Sequence, residues 1–584
     1  MTVPFGLSSR ALSNMRATRQ DRPELEGLSF CMATRIAAVP AGTDVPSVDE
    51  ISPISKELVI GLVGHAGAGT STAGDRIYVL LEQAGYTVVR IKLSDLIRQI
   101  DTREVPQIEE GARKGLSRFA IATMMQDRGD TIRKTHGDHA LAVAAIARLK
   151  AKRGDSAPGE RKLAFILDSL KHPAEVTLLR KVYDHSFRLV AVHCDVSKRE
   201  ERLIGDVTST AKYGGASGEE VRKFMDRDSK DDIHAHGQRV RDAFHLADFF
   251  LDNTANSQSG SAMNADISRF VNLLLDRDLV RPTKGERAIY HASAAALQSA
   301  CLSRQVGAAL VAKDGSVIAT GTNDPPRFGG GIYDEDSKPD NRCFAWEFDT
   351  KTGKFKGCHN DRKKHELYDT IANWMSKRLA DPIAEKLFPK DHFMGEDLHA
   401  DKRKEASDRA AMALLEAASA LGTMPGIKDA IEYSRAIHAE MSALMTAARN
   451  GTTTVGTALY VTTYPCHNCA RHLVAAGVSE VYFIEPYVKS LAYELHSDAI
   501  TGEKPAAAGG NYTHMLVAPF TGVGPRMYED FFAKRTTLKG IKGAYEPSSG
   551  GQPYYAVRLR ELDLVEQEAM KLVPAVLTAG VVDA

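Results

Sequence analysis

The first stretch with a regular pattern of apolar and polar positions is ELVIGLVGHAGAGTSTAGDRIYVLLEQAGYTVVRI. An unbroken apolar run from Leu58 to Val63 predicts a buried strand. A glycine-rich loop follows, then apolar positions at helical spacing, then a second strand near Val88 to Ile91. That is a βαβ unit. Further strand-like runs stand at 163–168 (LAFILD), 187–194 (FRLVAVHC) and 247–252 (ADFFLD), with helical patterning between them. Strands alternating with helices predict a parallel sheet covered by helices. The polar stretch NTANSQSGSAMN closes this block, and the apolar helix SRFVNLLLDRDL leads to Pro282 and Gly285, a boundary signal.

A second α/β block begins at about residue 285. Helix ERAIYHASAAALQSACL runs into QVGAALVAKDGSVIATGTN, a hairpin whose turn, Lys313-Asp314-Gly315-Ser316, carries the Asp-Gly pair that favours tight reversals. A polar insertion over 325–430 interrupts the block before the helical pattern resumes at SRAIHAEMSALMTAARNG. The expected organisation is a poorly ordered leader over 1–55, a first domain over 56–255, a linker helix over 256–284, a second domain over 285–545 carrying the helical insertion, and a tail over 546–584. No internal repeat is present.

Length supports the division, because 584 residues exceed what one hydrophobic core sustains. Lys plus Arg number 75 and Asp plus Glu number 75, so no overall charge draws the chain to nucleic acid or to an acidic membrane. Seven cysteines, odd in number and unevenly spaced, do not suggest a secreted disulfide framework. No apolar run approaches the ~20 residues that cross a bilayer, and the first fifty residues lack the core of a signal peptide. The expected setting is the cytoplasm.

The chemistry concentrates in two short segments, His438-Ala439-Glu440 and TYPCHNCARHLV, which holds Pro465, Cys466 and Cys469. A lone CxxC could be a redox pair, half of a structural zinc site or part of a catalytic one. A closed zinc ribbon needs a second CxxC, which the chain lacks, and a redox pair has no use for His-Ala-Glu upstream. In this order the two segments spell H-x-E and P-C-x-x-C, the signature of zinc nucleobase deaminases. Pro465 suits the first turn of a helix, with Cys466 and Cys469 on one face at i and i+3, where the helix N-terminus favours thiolates. With His438 as third ligand, a Zn²⁺ keeps one open position, and water there ionises near pH ~7. Glu440, two residues from a ligand, is placed to move protons between that water and the substrate. His467 and His472 match no ligand spacing, Cys31 and Cys194 look inert, and the basic run at 362–364 reads as a solvated helix face.

With these segments in view, residues from about 285 to 530 resemble the cytidine and deoxycytidylate deaminase family. CLSRQVGAALVAKDGSVIATGTN is similar to that family's first helix end and hairpin, and TTYPCHNCARHLVAAGVSEVYFIEPY to its second metal helix and following strand. The resemblance implies an α/β/α sandwich, a bound Zn²⁺ held by His438, Cys466 and Cys469, Glu440 as proton shuttle and a homo-oligomer. It also implies that Asn323 helps hold the substrate's sugar, although the surrounding GTNDPP departs from the family pattern and Asn323 reads equally as a turn residue. Some deoxycytidylate deaminases carry a second, structural zinc, for which Cys301, Cys343, Cys358 and His359 are candidates.

In the first block, Gly64, His65, Ala66, Gly67, Ala68, Gly69, Thr70 and Ser71 fit the P-loop frame G-x-x-x-x-G-K-[ST], except that Thr70 stands where lysine belongs. Backbone N–H groups there could cradle a nucleotide phosphate, and Ser71 could face Mg²⁺. The missing lysine argues against active phosphoryl transfer. Segments 128–138 and 167–176 are similar to parts of nucleoside monophosphate and dephospho-coenzyme A kinases, and supply Arg128, Arg133, Asp168 and Lys171 for anionic ligands. The whole layout, a P-loop kinase-like domain followed by a zinc deaminase, is similar to the bacterial anti-phage dCTP deaminases. It implies dCTP, and secondarily dCMP, as substrate, with a nucleotide effector at the P-loop. A housekeeping dCMP deaminase, a polynucleotide cytidine or adenosine deaminase, and an inactive binding protein are the alternatives. Balanced charge and 7% aromatic residues weigh against a strand-binding groove.

Overall fold

The computed structural model describes residues 57–100, 118–154, 161–204, 217–231, 234, 236–254, 261–355, 357–387, 396–416, 421, 433–487, 490–502, 513–533, 539–546 and 562–582. The leader expected over 1–55 lies outside them, as does part of the 325–430 insertion.

Five strands of the first block, β1 (Leu58–Gly64), β2 (Thr87–Lys92), β3 (Leu163–Leu170), β4 (Phe187–His193) and β5 (Phe249–Asp252), form a parallel sheet in the order 5-4-1-3-2. β1 is buried along its whole length, which is why it reads as an apolar run rather than an alternation. The helix Ala140–Arg153 covers one face and is buried on almost every side, as its sequence ALAVAAIA demands. The other face is covered by Thr70–Gln83 and Ser261–Leu274. The latter, expected as a linker, buries Ile267, Phe270 and Val271 against this sheet.

The second block contributes β6 (Gly307–Val311) and β7 (Val317–Thr322), the expected hairpin. The short pair β8 (Phe348–Asp349) and β9 (Lys354–Phe355) comes next in the insertion. Then follow β10 (Ala458–Thr463), β11 (Glu480–Glu485), β12 (Ile500–Thr501) and β13 (Met515–Pro519). Its mixed sheet runs 12-13-11-10-6-7, antiparallel across the hairpin and β10–β6, parallel from β10 through β12. Two long helices of the insertion, His359–Leu387 and Glu396–Glu416, pack on one another.

The boundary expected near residue 285 is bridged rather than open. A last strand, β14 (Gly522–Val523), leaves the second block and pairs antiparallel with β5. Glu286, fully buried, accepts from Arg269 at 2.6 and 2.7 Å and from the Val523 amide at 2.8 Å. The expected tail also returns: helices Leu562–Met570 and Ala575–Val582 pack on Ala140–Arg153 and bury Leu562, Val573, Leu577 and Val581.

Those returning helices also close a buried charge cluster. Arg153 donates to both oxygens of Glu57 at 2.7 and 2.8 Å and to both of Glu566 at 2.7 and 2.8 Å, and Tyr183 donates to Glu566 at 2.8 Å. Burial opposes the guanidinium charge, but the two carboxylates outweigh it and hold Arg153 above its ordinary pKa. Replacing Arg153 with methionine strands two carboxylates in the core and is expected to cost about 3–5 kcal/mol. A thermal-unfolding scan that left the variant's midpoint at the wild-type value would contradict this.

Candidate active site

The site forms where β10 ends. The chain leaves β10 through Tyr464 and Pro465 and enters the helix His467–Ala475, then returns as β11 parallel to β10. Cys466 caps this helix in extended conformation (φ −70°, ψ 164°), so Pro465 lies just outside the helix and not in its first turn as expected. The i, i+3 spacing still brings Cys469 beneath Cys466. His438 stands in the same relation to the helix Ala439–Arg449, capping it at φ −74°, ψ 155°. Two helix N-termini therefore open towards one point, and their aligned dipoles favour negative sulfur there.

The second helix can come close because of a glycine. A Cβ on Gly321 of β7 would sit 2.1 Å from the Ala439 carbonyl oxygen and 2.4 Å from the Ala443 nitrogen. No larger residue would let Ala439–Arg449 lie so near the hairpin.

His438 Nδ1 lies 3.4 Å from Cys466 Sγ and 3.4 Å from Cys469 Sγ, and all three donor atoms fall within 4.8 Å of one another. Zinc bonds of about 2.0–2.1 Å to nitrogen and about 2.3 Å to sulfur, at a tetrahedral angle, separate such atoms by about 3.6 Å. The donor set thus fits a Zn²⁺ in both chemistry and spacing. The electrostatics favour a thiolate at Cys466 alone. The hydrogen bond donated by Cys469 and the neighbouring imidazole lower the Cys466 thiol against the effect of burial. Cys469, as that donor and by its own burial, is raised. Contact with Cys466 raises His438.

Glu440 is 4% exposed, and burial lifts its carboxyl above the ordinary range, with His438 opposing and Cys466 adding to the effect. It shares with His438 and Cys466 the wall of a cavity of about 420 Å³. That is a volume suited to one small ligand. Tyr464 and Tyr487 line the cavity too, as do Arg304 and Arg435, the latter stacked 3.6 Å from the Trp346 ring.

Asn323 also borders the cavity, but its side chain is engaged: Oδ1 accepts from the Val306 amide at 2.7 Å and Nδ2 donates to the Arg304 carbonyl at 2.8 Å. It fastens the loop that carries Arg304. Its neighbour Asp324, which sequence reasoning passed over, is 1% exposed and accepts from the Ala300 amide at 2.8 Å, with its second oxygen buried and unpartnered. Cys301, Cys343 and Cys358 line the same cavity, so the insertion forms part of the wall. They and His359, which faces the Tyr433 carbonyl at 3.0 Å, are not among the described residues whose ligand atoms share one metal-sized space. The other such group, Asp130, Asp231 and His234, belongs to an ion network in which Arg227 pairs with both aspartates, at 2.5 and 3.0 Å.

The Gly64–Ser71 loop lies between β1 and the helix Thr70–Gln83, as expected. Gly69 has φ +89°, and a Cβ there would lie 2.3 Å from Asn253 Nδ2, so the loop's sharp entry into the helix requires glycine. Ser71, expected to face a magnesium ion, instead donates to Asp168 at 2.9 Å. Arg90 donates to the same oxygen at 2.6 Å, and Ser169 to the other at 3.0 Å. The Arg90 guanidinium thus neutralises the Asp168 carboxylate beside Ser71. Of the kinase-like cations, Arg133 is spent on Asp130 and Glu175, and Arg128 on the Ile97 and Ile100 carbonyls.

Fold and site together bring three metal-type ligands and a buried carboxylate to one cavity. Residues 394–485 match the cytidine and deoxycytidylate deaminase zinc-binding region. Over 54 residues the chain is 43% identical to "ComE operon protein 2" of Bacillus subtilis and 41% identical to the deoxycytidylate deaminase of Enterobacteria phage T2. Each match covers 9% of this chain and 29% of the relative. The chain thus spans under a third of the length of either relative. Among solved structures, the apo dCMP deaminase of cyanophage S-TIM5 is 16% identical with a TM-score of 0.19, covering 41% of this chain and 100% of that one. Among the described residues no helix is long and apolar enough to cross a membrane.

Proposed function

We propose that the chain hydrolyses the exocyclic amine of deoxycytidine nucleotides, dCTP first and dCMP second, to give the uracil nucleotide and ammonia. The observation that carries this reading is the meeting of His438, Cys466 and Cys469 beside a buried Glu440 in the wall of one cavity. A zinc ion held by those three side chains would supply an acidified water as the nucleophile for C4. Glu440 does the rest of the proton work. Its carboxylate takes a proton from the attacking water and passes it to ring N3. It then accepts the remaining hydroxyl proton and delivers it to the departing amine, so that C4 gains a carbonyl and the carboxylate returns unchanged. Burial suits this duty by bringing the carboxyl's proton affinity nearer to that of the atoms it serves.

Arg304 and Arg435, both on the cavity wall, support a phosphorylated substrate over a free base. Replacing Arg435 with alanine is expected to raise KM for dCTP by about tenfold while altering turnover of deoxycytidine far less. Equal losses on both substrates would remove the phosphate role. The similarity to deoxycytidylate deaminases favours dCMP as the second reading, that of a housekeeping enzyme. The resemblance of the whole layout to the anti-phage dCTP deaminases is what supports dCTP depletion as a defence against phage, by a homo-oligomer in the cytoplasm. Chromatography of dCTP, dCMP, deoxycytidine and a cytosine oligonucleotide after incubation with zinc-loaded protein tests the proposal. Uracil product from the nucleotides is the expected result, and product from the oligonucleotide alone would overturn it.

A further inference from the structure

The insertion over 325–430 lies outside the metal motifs in sequence, yet two of its stretches reach the active-site cavity. Cys343 and Phe344 line it from the first, Cys358 and Asn360 from the second. Both stretches also close on the short segment that leads into His438. His359, at the start of the helix His359–Leu387, faces the Tyr433 carbonyl at 3.0 Å. Trp346, on the first stretch, lays its ring against the Arg435 guanidinium at 3.6 Å and meets the His359 ring edge-on, with centroids 5.6 Å apart. The first stretch is braced in turn. Arg342 pairs with Asp340 at 2.7 Å and with Glu335 at 2.8 Å, and Arg362 of the helix pairs with Glu347 at 2.8 Å.

Arg435 differs from the other guanidinium on the cavity wall. Arg304 is paired with Glu485 at 3.2 Å. Among the described residues no carboxylate forms an ion pair with Arg435, although it is half-buried and burial works against its charge. A cation partly withdrawn from water without a counter-charge is unfavourable until an anion reaches it. The contacts that Arg435 does make leave that anion room. An aromatic face touches the guanidinium plane and takes none of its N–H groups. One N–H donates to the Asn341 carbonyl at 3.4 Å. The remaining donors lie in the plane, a fork suited to two phosphate oxygens. Position agrees with this. Arg435 stands three residues before His438, a stretch of at most about 11 Å. Ile437 between them is pinned by donating its amide to the Asp324 carbonyl at 3.1 Å. A nucleotide with its base at the metal site therefore has its 5′-phosphates within reach of Arg435.

We propose that Trp346 is a positioning residue for this phosphate contact: its ring fixes the plane of the Arg435 guanidinium, so that the insertion sets the preference for a phosphorylated substrate over the nucleoside. The inference rests on the deaminase reading above and adds to it the residue that prepares Arg435. Without the ring the guanidinium turns on its flexible side chain, and each nucleotide has to order it anew on binding.

Steady-state kinetics of the full-length, zinc-loaded protein on dCTP and deoxycytidine test this. Trp346→Leu is expected to raise KM for dCTP about fivefold, with kcat and the constants for deoxycytidine little changed. Trp346→Phe should restore most of the loss, because it keeps an aromatic face. In an Arg435→Ala background, Trp346→Leu should change nothing further. A ring that merely held up the fold would raise KM for both substrates alike and act equally with and without Arg435. Either result would overturn the proposal, as would a Trp346→Leu variant with wild-type constants. A spectroscopic arm is independent of turnover. The chain has two tryptophans, and Trp374 is 58% exposed on the helix His359–Leu387, so Trp374→Phe leaves Trp346 as the sole reporter. Its emission should change on titration with dCTP but not with deoxycytidine, and with neither in Arg435→Ala. That response without turnover of either substrate would contradict the deaminase reading and leave the contact standing. A silent Trp346, with or without dCTP turnover, would overturn the contact.

Discussion

Replacing Glu440 with alanine is expected to lower kcat on deoxycytidine nucleotides by about 10²–10⁴-fold, with zinc content unchanged. The two halves of this expectation rest on different observations. Glu440 sits two residues beyond His438, and the three atoms that meet within metal reach belong to His438, Cys466 and Cys469, without its carboxylate. Removing it should therefore leave the ligand set whole. It is also the acid on the cavity wall closest in sequence to the metal site, and its burial suits it to carry protons. Glutamine at the same place keeps the shape and cannot take a proton, so Glu440→Gln should fall as far as Glu440→Ala. A Glu440→Gln variant that kept wild-type turnover would assign the proton transfers elsewhere.

The second large effect concerns the metal. Replacing Cys469 with serine should reduce bound zinc from near one per chain to below about a tenth, and abolish turnover with it, because two ligands cannot hold the ion against water. Stability offers an independent readout. A ligand that binds only the folded state raises the unfolding temperature with its concentration. Added zinc should therefore raise the midpoint of stripped wild-type protein and leave that of Cys469→Ser in place. Cys469 is 1% exposed, so the serine hydroxyl also enters a buried site and some loss of stability without metal is expected. A zinc-dependent shift in the variant equal to wild type would mean that the ion sits elsewhere.

Much of this was legible in the sequence because it is local or carried by residues of rare chemistry. β1, the loop after it and the hairpin β6–β7 follow from an unbroken apolar run, a glycine cluster and an Asp-Gly turn, all within a few residues. His438, Glu440, Cys466 and Cys469 were readable because few arrangements other than a zinc site place those side chains in that order. What escaped depends on partners far apart in the chain. Gly321 looks like any strand glycine until the Ala439–Arg449 helix lies on it. The residues after 561 form two short helices whose partner Arg153 lies 413 positions away from Glu566, and read as a tail. The reason they fold back is the helix Ala140–Arg153, whose alanine-rich surface needs cover on every side. Lys171 reads as one more cation for an anionic ligand, and only the structure shows it donating to the Gly64 carbonyl and to Asp228. The insertion gave no signal of forming a cavity wall, since Cys343 and Cys358 meet that space through folding alone.

The claim on which all of this depends is an open zinc site, with three protein ligands and a fourth position left for solvent beside Glu440. X-ray absorption at the zinc edge of the purified chain measures it directly. The prediction is a first shell of two sulfurs at about 2.3 Å and two lighter atoms at about 2.0–2.1 Å, one from imidazole and one from water. A shell of four sulfurs, or protein that binds no zinc when it is supplied, would contradict the account.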